Sequence, residues 1–265
     1  MKTYLITGAN RGIGLGLVTE LVKNPDNKVL VTVRKSANIE ALEALGSNNL
    51  QIFYCDIAVE KEMDQAFEEI TKKVDSIDIA ILNAAYIDGN MKSPLELTES
   101  QESWKEFTTG TTKSIEINAY SQIYLTNKLI PLVEKSQEKK IIFISTSFGN
   151  DEFIERSRID NVLPYSLSKS MTNTIVAKYT NIAKQKKMTI IALCPGIVNS
   201  NGLSDEIMAG FIEGFKAGFL RNNEDFVGIQ TVEQACKKFL KAVEFYGPIQ
   251  SGKLFSTNGS EHMSA

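Results

Sequence analysis

With 265 residues, 43% of them apolar and 23% charged, the chain has the composition of an ordinary globular protein and enough length for one large α/β domain over 1–265. Its 29 Lys and Arg against 32 Asp and Glu give a net charge of -3, with no basic block or stripe, which excludes the electrostatic footprint of a nucleic-acid binder. The three cysteines, Cys55, Cys194 and Cys236, have neither metal-ligand nor disulfide spacing, and neither a signal peptide nor an apolar run of about 18 residues is present, so a cytoplasmic protein with no membrane partner is expected.

Short apolar runs alternate with longer helical patterns along the whole chain. Strands are predicted at Thr3–Ile6, Val29–Val33, Leu50–Cys55, Ile77–Leu82, Lys140–Ser145, Met188–Leu193 and Lys253–Ser256. Helices are predicted at Gly12–Lys23, Val59–Val74, Ser114–Lys135, Pro164–Lys186 and Thr231–Tyr246. Several strands are apolar on successive residues, as strands covered on both faces should be. The alternation therefore predicts a doubly wound, mostly parallel seven-stranded α/β sheet with helices on both faces. Asn201–Ile229 is the one large irregular region, rich in Phe, Met and Gly. Its Leu203, Ile207, Met208, Phe211, Phe215 and Phe219 stand at near-helical spacing, either as a substrate lid or as ordinary core.

The first strand runs into Thr7-Gly8-Ala9-Asn10-Arg11-Gly12-Ile13-Gly14. Glycines where a strand turns into a helix let the backbone approach a diphosphate, and the amides of the helix start then hold its charge. Gly8, Asn10, Arg11, Gly12, Ile13 and Gly14 are the candidate contacts; the alternative is a tight turn that needs glycine for its dihedrals alone. The second strand ends at Arg34, where an NAD site usually has an acid and where an arginine suits a 2'-phosphate. NADP(H) is thus the expected cofactor, with Arg11 as a second cation, unless both are solvated surface arginines.

Further strand ends carry further candidates. Asp56, followed by Ile57, is placed to bond an adenine edge or else to close a turn. Asn83 and Ala84 end the fourth strand. Asn118 lies inside a helical pattern, where asparagine competes with the backbone for hydrogen bonds; it is either a surface residue or a local distortion. Ser145, Thr146 and Ser147 end the fifth strand. Pro195-Gly196-Ile197-Val198-Asn199-Ser200 turns sharply after the sixth and presents amides that can pin an amide-bearing ring. Tyr165 and Lys169 stand four apart at a helix start, on one face, where a cation favours the phenolate and makes a phenol usable as a general acid or base.

Taken together these residues resemble the short-chain dehydrogenase/reductase family over nearly the whole chain. Thr7 to Gly14 matches its T-G-x-x-x-G-x-G, Tyr165 and Lys169 its Y-x-x-x-K, and Asn118 its helix asparagine. Pro195, Gly196, Val198 and Ser200 fall in its nicotinamide loop, and Ser251-Gly252-Lys253 matches its closing strand. The resemblance implies a Rossmann-like fold and an NADPH-dependent reduction of a small carbonyl compound, in which Tyr165 delivers a proton to the carbonyl oxygen and Thr146 holds that oxygen. It further implies that Lys169 binds the nicotinamide ribose, lowers the Tyr165 pKa and connects through water to the backbone at Asn118. A homodimer paired through the 114–135 helix is also implied.

Three departures stand against the family pattern. Ala85 replaces a glycine, Ser145-Thr146 replaces Ser-Ser, and the segment from Thr146 to Tyr165 is longer than usual, with Asn150 to Asn161 charged and irregular. Ala85 and Thr146 favour the competing reading, a non-catalytic NADP-binding sensor or scaffold; intact Tyr165, Lys169 and Asn118 oppose it.

Overall fold

The computed structural model describes residues 1–200 and 228–257. Leu203, Ile207, Met208, Phe211, Phe215 and Phe219, expected as a lid or as core, lie outside the described residues. Among the described residues there are seven strands: β1 Thr3–Thr7, β2 Lys28–Val33, β3 Leu50–Tyr54, β4 Ile79–Leu82, β5 Lys140–Ile144, β6 Thr189–Cys194 and β7 Leu254–Ser256. They form one sheet in the order β3-β2-β1-β4-β5-β6-β7. Every pairing is parallel, so the expected mostly parallel sheet is wholly so.

Side chains alternate between the two faces of a strand, and both faces are covered. Leu5, Leu30, Ala80, Ile141 and Ile190 belong to one core, while their chain neighbours Ile6, Val31, Ile81, Ile142 and Ile191 belong to the other. This double burial is why the strands read as continuous apolar runs. Helices α1 (Gly12–Leu21) and α9 (Val232–Phe245) cover one face; α3 (Glu60–Thr71), α5 (Ser121–Val133), α7 (Leu163–Lys178) and α8 (Thr180–Lys186) contribute to the other. A short α2, Glu40–Glu43, precedes β3. The strand order reverses between β1 and β4, and such a switch point opens a crevice at the carboxyl edge.

Besides α2, which the sequence reading lacks, three helical segments differ from it. The helix expected from Ser114 starts at Gln101, as α4 (Gln101–Ile115), and runs through a π turn at Glu116–Tyr120 into α5. Its first half escapes a periodicity test because its buried side is made of Ser103, Gly110 and Ser114, small residues rather than an apolar stripe. The predicted 164–186 helix breaks at Tyr179 into α7 and α8. The stretch read as irregular, Asn150 to Asn161, contains α6, Asp151–Ser157, in which the Asn150 side chain accepts from the Phe153 amide at 2.8 Å and Arg158 closes the end at φ +55°. Asn150 with Asp151 and Glu152 is a legible helix start; seven residues are too few to show a period.

Candidate active site

At the end of β1, Thr7 is the hub. Its hydroxyl accepts from the backbone N–H of Asn83 and of Ala84, both at 3.0 Å, while the Asn83 amide donates to the carbonyls of Thr7 and Gly8 at 2.8 and 2.9 Å. The glycine loop is thereby stitched to the end of β4. A Cβ on Gly14 would stand 2.5 Å from the Gly8 carbonyl oxygen and 2.6 Å from Asn83 Nδ2, so no side chain fits there. Gly8 and Gly12 hold φ of +67° and +56°, the left-handed region that favours glycine. The start of α1 has no capping side chain and no acid in its first turn, which suits an anionic group. The loop thus fits the diphosphate of a dinucleotide.

Around this loop the other cofactor candidates fall at varied distances from the surface. Asn10 is half-buried, Arg11 and Arg34 are exposed at the ends of β1 and β2, and Ile13 packs against the α1 core. Asp56 closes a turn: its Oδ1 accepts from the Ala58 amide at 3.0 Å. The Ile57 side chain lies in the core, so it is the backbone of Ile57 that is available to a ligand. Ala85 has no positive φ; among the described residues only Lys139, Arg158, Val162 and Lys187 do so without being glycine. The loop therefore accepts alanine at that position.

The loop after β6 comes to the same edge. Gly196 holds φ +80°, Val198 bridges to Gln230 in parallel, and the Gln230 side chain donates to the Pro195 carbonyl at 2.9 Å. A Cβ built on Gly12 would lie 3.3 Å from Ser200 Cβ, which brings Ser200 onto the glycine loop. Gln230 was missed by sequence reasoning, because a glutamine between Ile229 and Thr231 carries no motif.

Asn118 is 1% exposed in the π turn, so it is the local distortion and not a surface residue. Its Nδ2 donates to the Tyr86 carbonyl at 2.7 Å and to Ser168 Oγ at 3.0 Å, and its Oδ1 accepts from the Tyr86 amide at 2.8 Å. Its own carbonyl accepts from the Thr172 hydroxyl at 2.9 Å. Gln122, one turn on, donates to the Ala84 carbonyl at 3.1 Å. The π turn thus ties the β4 loop to α7. Ser168 and Thr172 sit inside and just after the Tyr165–Lys169 stretch, but nothing in their type marks them as partners of Asn118.

Thr146, extended just beyond β5, caps the turn that follows, and its hydroxyl comes close enough to the Tyr165 phenol to favour the phenolate. Ser147 opens a 3₁₀ turn, Ser147–Gly149, and directs its Oγ to Cys194 Sγ at 3.8 Å. Burial pushes the Tyr165 phenol well above the ordinary tyrosine value, nearby Cys194 adds to that shift, and the Thr146 hydroxyl opposes it. Lys169 is buried, and burial lowers its pKa to about 8, with Cys194 opposing. Its ammonium donates to the Ile144 carbonyl at 2.8 Å and stands 5.9 Å from the Tyr165 ring centroid. The expected lowering of the Tyr165 pKa by Lys169 is therefore not the arrangement found: the cation is spent on a strand-end carbonyl, and desolvation of the phenol dominates. Val162, a β-branched residue at φ +55°, begins α7 three residues before Tyr165, backbone strain of the kind that gathers near functional sites. Among the described residues no group of three His, Cys, Asp or Glu could hold a metal ion, and no helix is long and apolar enough to cross a membrane.

A doubly wound parallel sheet, a glycine loop at its switch point and a Tyr–Lys pair on the helix beside β5 define a nucleotide-dependent oxidoreductase. A family model described as short chain dehydrogenase matches residues 2–208, and the chain belongs to that family of nicotinamide-using oxidoreductases. It is 30% identical to the short-chain dehydrogenase/reductase iacC of Pestalotiopsis fici over 245 residues, 89% of each chain. With the short chain dehydrogenase virK of Hypocrea virens it shares 29% identity over 257 residues, 92% of each. Among solved structures it is similar to the NADPH-bound carbonyl reductase from chicken fatty liver, with TM-score 0.78 at 19% identity over 100% of this chain and 94% of that one. It is also similar to the Brucella melitensis 3-oxoacyl-[acyl-carrier protein] reductase in complex with NAD, with TM-score 0.72 at 17% identity over 97% and 95%. These likenesses show the fold.

Proposed function

We propose that the protein is an NADPH-dependent carbonyl reductase that converts a small or medium carbonyl compound to its alcohol by reversible hydride transfer. The observation that carries this reading is the approach of the Thr146 hydroxyl to the buried Tyr165 phenol just beyond β5, with Lys169 one helical turn further on. A nicotinamide cofactor on the glycine loop supplies the hydride. Thr146 holds the carbonyl oxygen, and Tyr165 gives that oxygen its proton. Burial keeps the phenol protonated at neutral pH, the state that a general acid needs. Lys169, anchored on the Ile144 carbonyl, carries positive charge beside it for the ribose.

Arg34 and Arg11 support NADPH over NADH, because a 2'-phosphate adds charge-assisted contacts that a ribose hydroxyl lacks. We place the site in a single domain over 1–265; the lid expected near 201–229 falls almost wholly outside the described residues. Self-association through α4 and α5 is supported by Trp104, Tyr120 and Ile123, which are 50%, 59% and 38% exposed along those elements. A cytoplasmic location is supported by Cys55, Cys194 and Cys236, buried thiols in no disulfide. The test is a screen of NADPH oxidation against aldehydes, diketones, quinones and ketosteroids. Turnover of any of them supports the reductase. NADPH binding with turnover of none returns the protein to the sensor or scaffold reading.

A further inference from the structure

Thr146 can serve Tyr165 only if the end of β5 is held in register with α7, and the two elements are far apart in sequence. One side chain of α7, outside the Tyr165–Lys169 pair, spans that gap. The Asn173 Oδ1 accepts from Ser145 Oγ at 2.6 Å, and its Nδ2 donates to the Gly149 carbonyl at 2.8 Å. Ser145 and Gly149 bracket Thr146. Asn173 lies four residues after Lys169 and eight after Tyr165, on the same helical face.

The orientation of this amide is determined by its partners. A flipped amide would set its oxygen against the Gly149 carbonyl oxygen, whereas the observed one satisfies both contacts. Behind the clamp the two backbones are in near contact: a Cβ on Gly149 would stand 2.5 Å from the Lys169 carbonyl carbon and 2.7 Å from the Ser170 nitrogen. The 3₁₀ turn is therefore pressed onto α7 at Lys169, and Asn173 is what bonds it there by side chain.

We infer that Asn173 is a positioning residue for the reaction: it clamps both ends of the Ser145–Gly149 segment onto α7 and so fixes the Thr146 hydroxyl against Tyr165. The inference rests on the roles proposed above for Thr146 and Tyr165. It predicts that Asn173→Leu lowers kcat by roughly ten- to a hundredfold, the range for a misplaced group near the chemistry, and leaves the dissociation constant for NADPH within about twofold, since the glycine loop is held by other contacts. Asn173→Asp, which keeps the shape but puts a carboxylate oxygen against the Gly149 carbonyl, shows the same loss. Combined with Thr146→Val, the Asn173→Leu change costs little more, because the group that it positions is gone.

A readout independent of turnover comes from protein carrying [¹³Cζ]tyrosine. The Tyr165 resonance, assigned by its loss in Tyr165→Phe, is expected to move in Asn173→Leu and Asn173→Asp in the same direction as in Thr146→Val. If it stays at the wild-type position while it moves in Thr146→Val, the clamp is refuted whatever the enzyme reduces. Should both Asn173 variants fail to fold, Ser145→Ala severs one arm alone, and an unmoved resonance there refutes the clamp equally. A wild-type protein that turns over no carbonyl, with the resonance shifts as expected, overturns the reductase reading and leaves the clamp standing.

Discussion

The ends of β1 and β5 lie on the same edge of one sheet and are built by opposite means. At β1 the glycine loop is shaped by its own backbone: Gly8 and Gly12 take positive φ, Gly14 is squeezed against Gly8 and Asn83, and Thr7 with Asn83 closes the set. At β5 the geometry is imposed from outside, by Asn173, by the approach of Gly149 to Lys169, and by Ser147 meeting Cys194. The first end takes its backbone conformation from its own glycines, with Asn83 closing it. The second is a junction of β5, β6 and α7, and its chemistry depends on distances between residues far apart in the chain.

The sharpest way to break that contrast is to remove chemistry at β5 without touching β1. Tyr165→Phe deletes the general acid, and a loss of ~10²–10⁴ in kcat is expected with NADPH affinity retained in a direct titration. Loss of affinity together with turnover would mean that the two ends are not separable. Next in size is Thr146→Val, expected to cost ~10²–10³ in kcat, whereas Thr146→Ser stays active and Ser147→Ala is mild. Steady-state kinetics on the three variants decides the assignment, and a dead Ser147→Ala would transfer the role to Ser147. Because threonine's extra methyl restricts χ1 and takes room, slim carbonyls should be better substrates than hindered ones.

At the β1 side the corresponding change is in the second strand. Arg34→Asp removes a charge-assisted contact of roughly 1.5–3 kcal/mol, so a preference of at least about tenfold for NADPH over NADH should narrow or reverse. Equal dissociation constants for the two cofactors in the unmutated protein would count against NADPH selectivity.

The smallest effect is a pH dependence at Lys169, which joins the two regions. Burial depresses its folded pKa to about 8 from an ordinary 10.5, so below about 8 the fold carries a buried charge at a cost. In the window from about 8 to 10.5 the unfolded chain binds more protons than the folded one, and this group makes stability rise with pH. Lys169→Met should therefore raise Tm at pH 7 by a few degrees, with the gain shrinking as pH rises through that window. The loss of charge acts in the opposite sense on function: NADPH binding to the wild type should weaken as pH rises through about 8. Thermal melts and titrations over pH 6.5–10.5 read both.

Much of this protein was legible in its residues because the controlling interactions are short in range. Alternation of buried runs and helical patterns follows from two-sided burial of parallel strands, and all seven strands appear where the runs stand. The glycine spacing at Gly8 and Gly12 reports backbone dihedrals set within the loop itself. Tyr165 and Lys169 share a face because a helix repeats every 3.6 residues. None of these needs to know what the rest of the chain does.

Tertiary structure decided the remainder. Asn118 could be a surface residue or a distortion until Tyr86, Ser168 and Thr172 were seen to surround it. The Lys169 ammonium could set the phenol's pKa until the Ile144 carbonyl was seen to take it and burial to dominate. Helix α4 has no apolar stripe to announce it, because its buried side is Ser103, Gly110 and Ser114, with Gly110 against the Asp88 carboxylate and Ser103 Oγ accepting from the Lys92 ammonium. Thr7, Gln122, Asn173 and Gln230 are polar side chains of ordinary type whose meaning lies in the carbonyls and amides they reach, residues that the fold brings near and the sequence keeps apart. Periodicity and backbone conformation are encoded within a few residues, whereas the pairing of a buried polar group is set by desolvation and by whatever donor or acceptor packing delivers.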